Sequence, residues 1–163
     1  RLPPPEKGGR AVELVYTADV PIDVFWRFKT DFSAKFLLSN RYITSNRVVA
    51  RQGAIVITET SYSYAPGVTF RWQTTLDHLN YLMEYVLLNP EECGQRFNYG
   101  SIKLLKAGRS TRVTHKSYFD FFGATLWDHF PGPGGMEPFL RYTARWEKNT
   151  VRRLLPKYRK LQP

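Results

Sequence analysis

The chain has 163 residues, the usual size of one domain and enough to bury a core without staples. A single cysteine, Cys93, excludes an intrachain disulfide scaffold, and no apolar run is long enough to span a membrane. The net charge of +10, from 24 basic and 14 acidic residues, favours anionic partners: nucleic acid, an acidic membrane surface or an acidic protein. Residues 1–10 read as a flexible lead-in, and residues 11–163 as a single domain. The start at Arg1 points to processing or trimming, and leaves a soluble protein's compartment open between cytoplasm and export.

In chain order, Ala11 to Ala18 alternates Val12, Leu14 and Tyr16 with Glu13, Val15 and Thr17, a strand pattern. Pro21 suits the first turn of a helix, and Phe25, Trp26 and Phe28 give that helix an apolar side. A second short helix is predicted over Ser33 to Leu38. From Arg41 to Phe122 the period is two. Six segments are strand-like: 42–51, 54–64, 68–75, 81–88, 96–105 and 111–122. Turn chemistry separates them, including Gln52-Gly53, Pro66-Gly67, Asn89-Pro90 and Ala107-Gly108. Strands joined by such turns pair antiparallel. Gly123 to Glu137 breaks the pattern. A long helix is predicted from Glu137 to Leu155, with Pro156 ending it. From Arg141 onward there are eight basic residues and one acid, Glu147.

A meander with one apolar face needs a cover, and the last helix is the element long enough to supply it. The fold class is therefore α+β, a curved antiparallel sheet around a long C-terminal helix, with a cavity where the grip does not fill. On the opening VELVYTADVPIDVFWRF (Val12 to Phe28), the meander, and the helix after the Gly/Pro loop, the chain resembles the helix-grip START/SRPBCC superfamily, which includes polyketide cyclases and lipid-transfer domains. The resemblance spans roughly residues 11 to 155. It implies a pocket and an apolar ligand, and hands over no named functional residues.

Strand parity nominates the polar residues of that pocket, because successive side chains alternate faces. Glu59 shares parity with Ile55 and Ile57, Trp72 with Val68 and Phe70, and Glu84 with Leu82 and Val86. His115 and Ser117 share it with Val113 and Phe119. Buried carboxylates and imidazoles persist mainly where they work or pair. Glu59, Glu84 and His115 are thus the catalytic candidates. Trp72, Glu84, His115, Ser117 and the helix residues Phe139, Thr143 and Trp146 are the ligand-binding candidates. For the strand 81–88 the opposite face, Tyr81, Met83, Tyr85 and Leu87, is equally apolar. Trp127, His129, Phe130 and Met136 are candidates for a lid.

Other chemistry is weak. His78, His115 and His129 have no metal-ligand spacing, and no metal or cofactor is expected. Cys93 lies in a turn beside Glu91 and Glu92, which raises a thiol's pKa and blunts it as a nucleophile. No nucleic-acid motif accompanies the positive charge. Arg141, Arg145, Lys148 and Arg152 fall on one helix face at steps of four, three and four, a candidate contact with an anionic membrane. The leading expectation is binding or transport of a small hydrophobic molecule or lipid. The alternatives are a polyketide cyclase/aromatase-type enzyme, and an interaction module working through the basic helix.

Overall fold

The computed structural model describes residues 9–32, 35–121 and 136–159. Strand β1 (Arg10–Ala18) leads into helix α1 (Ile22–Lys29) and a 3-10 turn (Lys35–Ser39). Strands β2 (Ile43–Gln52), β3 (Ile55–Tyr62), β4 (Thr69–Asp77), β5 (Leu82–Leu87), β6 (Gln95–Ala107) and β7 (Ser110–Phe121) follow. Helix α2 (Met136–Arg159) closes the chain, and a short 3-10 turn (Glu91–Cys93) joins β5 to β6. The expected seven strands form one antiparallel sheet in the order β1-β7-β6-β5-β4-β3-β2. β1 lies against β7, with Leu14 opposite His115 and Val12 opposite Ser117. The first strand and the last are thereby brought to the same wall.

The sheet curves over α2 and buries one face against it. One core joins α1 (Val24, Phe25, Phe28) to the sheet (Val56, Leu76, Leu104, Val113) and to Val151 of α2. A second packs Leu140 and Ala144 of α2 on Leu14 and Phe119. A third, Phe70, Leu87 and Cys93, fills the sheet beside the β5–β6 turn. Apolar burial of this kind contributes roughly 25 cal/mol per Å² and is what holds the helix in the grip.

Two expectations about element ends are corrected. Arg10, placed in the lead-in, already pairs with Phe119 in β1. Pro156 does not end α2, which continues to Arg159. A proline near a helix end removes one backbone bond and leaves few turns to disrupt, so the last turn persists beyond it. The predicted second helix is present as the 3-10 turn at Lys35–Ser39.

Gly100 marks the tightest place in the sheet. A Cβ there would lie 2.3 Å from Tyr85 Oη and 2.4 Å from the Lys116 carbonyl oxygen. The missing side chain lets the Tyr85 phenol lie flat across β6 and reach β7. Gly100→Ala must push both the phenol and a ladder carbonyl, and is expected to cost about 1–3 kcal/mol. Gly53→Ala, at φ +58 with nothing within 4 Å, meets only the left-handed backbone penalty of about 1 kcal/mol. Urea-denaturation midpoints of the two variants should differ in that order.

Candidate functional site

Between the sheet and α2 lies a cavity of about 270 Å³. It falls just under the ~300–1,000 Å³ usual for drug-sized ligands, room for a small molecule at most. One wall is aromatic. Tyr62 and Tyr64 stack with centroids 5.1 Å apart, and Trp72 meets Tyr85 edge-on at 5.5 Å. The Trp72 indole N–H donates to Tyr62 Oη at 3.1 Å. Burial pushes the Tyr62 hydroxyl up to about 12, and raises Tyr64 and Tyr85 as well. These phenols stay protonated and offer neutral polar contacts within an apolar surface.

His115, Ser117 and Asn98 also line the cavity. Tyr85 Oη and His115 Nε2 share a hydrogen bond of 2.7 Å, which Gly100 makes room for. His115 is part-exposed by surface area, but that surface faces the cavity, and it is enclosed by protein. Desolvation, followed by the nearby Lys29 ammonium, pushes its pKa down to about 4, so the imidazole is neutral at physiological pH.

At the α2 side sits the strongest electrostatic feature. Glu147, on α2, accepts hydrogen bonds from the Tyr16 hydroxyl on β1 and the Lys29 ammonium at the end of α1. Side chains of Lys29 and Glu147 retain 15% and 8% of their exposure, so the pair is largely desolvated. Burial first, then the charge of Glu147, raises Tyr16 well above the ordinary phenol range. Close by, Thr143 Oγ1 is buried and has no hydrogen-bond partner among the described residues. An orphaned hydroxyl on a cavity wall is a position for a polar atom of a ligand or a water.

The expected site residues divide. Trp72, His115, Ser117, Thr143 and Trp146 all line the cavity. Glu59 and Glu84 do not, and their assignment to the pocket is corrected. In β3 the buried residues are Val56, Thr58 and Thr60, so Glu59 points outward, where Arg47 and Arg71 (2.9 Å) hold its carboxyl below the usual range. In β5 the inward residues are Met83, Tyr85 and Leu87, which puts Glu84 on the outer face. Sequence reasoning missed Tyr16, Lys29, Tyr62, Tyr85 and Glu147. For Glu147 the signal was visible: it is the lone acid among the eight basic residues from Arg141 onward. The side chain of Phe139 and the proposed lid residues Trp127, His129, Phe130 and Met136 lie outside the described side chains. Cys93 is buried, and burial, more than Glu92, pushes its thiol up to about 12. Arg141, Arg145 and Arg152 are exposed on α2 and Lys148 is half-buried, with Arg152 3.4 Å from Asp19.

No family profile matches the chain, and no curated protein matches it in sequence. Solved structures match closely in shape. The ZhuI aromatase/cyclase from Streptomyces sp. R1128 aligns with a TM-score of 0.74 over 91% of this chain and 96% of its own, at 12% identity. The chain has the helix-grip fold. A START superfamily protein from Mycobacterium smegmatis shares the helix-grip fold with a TM-score of 0.65 at 14% identity, over 90% and 99% of the two chains. Norcoclaurine synthase from Thalictrum flavum, in complex with dopamine and hydroxybenzaldehyde, aligns with a TM-score of 0.63 at 14% identity, over 93% and 95%.

Two outcomes follow from the helix-grip interior. His115 is neutral in the fold down to about pH 4, whereas an unfolded histidine takes a proton near 6.5. The unfolded state therefore binds more protons between these values. Stability from this residue is complete above pH 6.5 and falls by about 3 kcal/mol as the pH drops to 4. Urea titrations at pH 7.5 and 4.5 should show this loss, and His115→Gln should reduce it. Lys29→Met leaves the Glu147 carboxylate buried with one neutral partner and is expected to cost about 3–5 kcal/mol. Lys29→Met combined with Glu147→Met should recover most of that, as read by thermal denaturation.

Proposed function

We propose that this protein binds a small hydrophobic molecule whose uncharged, apolar part sits in the cavity between sheet and α2. The observation that carries this reading is the cavity's lining. Aromatic rings supply the area, while neutral Tyr85–His115 and the orphaned Thr143 hydroxyl supply a few convergent polar groups. The interior disfavours net charge: its imidazole is neutral, its phenols are protonated, and its carboxylate is matched by Lys29. A ligand bearing a carbonyl or hydroxyl gains the polar contacts without bringing an unmatched charge out of water.

A second reading, a cyclase-type enzyme, is favoured by the Tyr85–His115 pair. A neutral imidazole accepts a proton, and a phenol hydrogen-bonded to it can orient or polarise a carbonyl. With Glu59 and Glu84 outside, His115 is the acid/base candidate that remains from the sequence, and the likeness to an aromatase/cyclase gives the reading its reaction class.

Native mass spectrometry of the purified protein, followed by solvent extraction, tests both readings. A reproducible small apolar mass is expected. Trp72→Ala should weaken rebinding of that molecule about tenfold or more, given ≈ 1.5–3 kcal/mol for a buried aromatic contact. Thr143→Val should weaken it by a smaller factor. A clean apo mass, with no thermal stabilisation by a panel of neutral aromatics and lipids, would sink the binding reading. His115→Gln separates the two: it abolishes turnover of the extracted molecule in an enzyme and adjusts only affinity in a binder.

A further inference from the structure

A second concavity, of about 460 Å³, lies on the outside of α2, lined by Ser39, Tyr142, Arg145, Asn149, Thr150 and Arg153, with Trp146 at its base. The helix residues recur at steps of three and four and so form one stripe along α2 facing the 3-10 turn. Arg145 and Arg153 stand two turns apart, about 12 Å along the axis. Both are exposed, and neither has a carboxylate partner among the described residues. Asn149, between them, adds an amide donor, and Ser39 and Tyr142 add hydroxyls.

Trp146 is the one described residue that lines both this groove and the internal cavity. Its ring packs against Phe28 with centroids 6.1 Å apart, and its indole N–H donates to Ser39 Oγ at 2.8 Å. Trp146 is thus a wall shared by an interior that resists net charge and a groove that carries the guanidiniums of Arg145 and Arg153. A neutral molecule uses the first and ignores the second. A molecule with an apolar body and an anionic head fits both at once, since guanidinium forks match phosphate and sulfate oxygens in bidentate geometry.

We propose that the groove is a second binding subsite, taking the anionic head of an amphiphile, a phosphate or sulfate monoester, whose uncharged apolar body passes Trp146 into the cavity. This rests on the cavity-binding reading and adds the ligand's charged end and where it sits. Deep in the cavity the positive partner, Lys29, is already held by Glu147, so the head stays outside.

The test compares 1-octanol with octyl phosphate by isothermal titration calorimetry, on the wild type and on the Arg145→Ala/Arg153→Ala variant. The phosphate is expected to bind the wild type at least tenfold tighter, with an advantage that shrinks as salt rises. The double variant should erase the advantage and leave octanol affinity unchanged. Inorganic phosphate, exchanged for chloride at matched ionic strength, should compete with octyl phosphate and not with octanol. Equal affinities of the two ligands, or a phosphate preference that survives the double variant, would overturn the proposal while leaving the cavity reading standing. Inorganic phosphate binding as tightly as octyl phosphate would also overturn it, marking the groove as a site for free anions. Failure of both octyl ligands to bind removes the cavity reading, and this proposal with it.

Discussion

Glu147 is a carboxylate held between helix and sheet, and its partners decide how α2 can lie. Its acceptor oxygens meet Tyr16 on β1 and Lys29 at the end of α1. Helix α2 is thereby tied, at one point on the cavity wall, to the two consecutive elements that open the chain, from which it is far apart in sequence. Apolar packing along α2, through Leu140, Ala144 and Val151, is non-directional and tolerates sliding or rotation. A buried ion pair with a phenol does not, because any displacement strands a charge away from water. The cores supply the attraction, and the Glu147 cluster selects one arrangement from those that would bury similar area.

That selection also sets the chemical character of the space left over. With Glu147 neutralised by Lys29, the remaining titratable groups on the cavity wall are driven toward their uncharged forms by desolvation: His115 downward, Tyr62, Tyr64 and Tyr85 upward. Polarity is present without net charge. This differs from the outer face of the same sheet, where Glu59 bridges Arg47 and Arg71 in solvent. Pairs of that kind, with their guanidiniums in solvent, are screened by salt, whereas the interior cluster is neither exposed nor readily screened. The same residue type is a surface ornament in β3 and an organising constraint in α2.

The division between what was legible in the sequence and what was not follows the physics of each element. Strand number, order and the terminal helix could be read, because turn residues such as Gly53 and Gly108 punctuate period-two segments and Pro21 announces α1. Facing was legible where one side of a strand is plainly apolar, as in β1 and β7, which placed His115 and Ser117 correctly. It failed in β3 and β5. In β3 the inward side is mostly threonine (Thr58 and Thr60), while Ile55 is left 40% exposed on the outside, so hydrophobicity points the wrong way. In β5 both sides are apolar, and parity carries no information. The inward Thr60 hydroxyl donates to Asn46 Oδ1 at 2.7 Å, and that pairing is a tertiary fact. Lys29 and Tyr16 escaped notice for a related reason: their role exists only once β1, α1 and α2 meet.

The boundary of the cavity is not equally strong everywhere, and its weakest part can be named. Toward the sheet, the cavity is closed by continuous antiparallel ladders, where opening requires breaking several backbone hydrogen bonds together. Toward α1 it is closed by the desolvated Lys29–Glu147 pair, which resists separation. Between α2 and the 3-10 turn it is lined by Trp146, whose indole N–H donates a neutral hydrogen bond to an exposed serine, worth about 1 kcal/mol net. A one-turn 3-10 segment is held less firmly than any strand beside it, since its hydrogen-bond geometry is poorer and few residues share the load. Local opening costs least where the fewest interactions must be given up together. Among the described walls that is the contact of Trp146 with Ser39, which is also where the uncharged interior meets the two free arginines of α2.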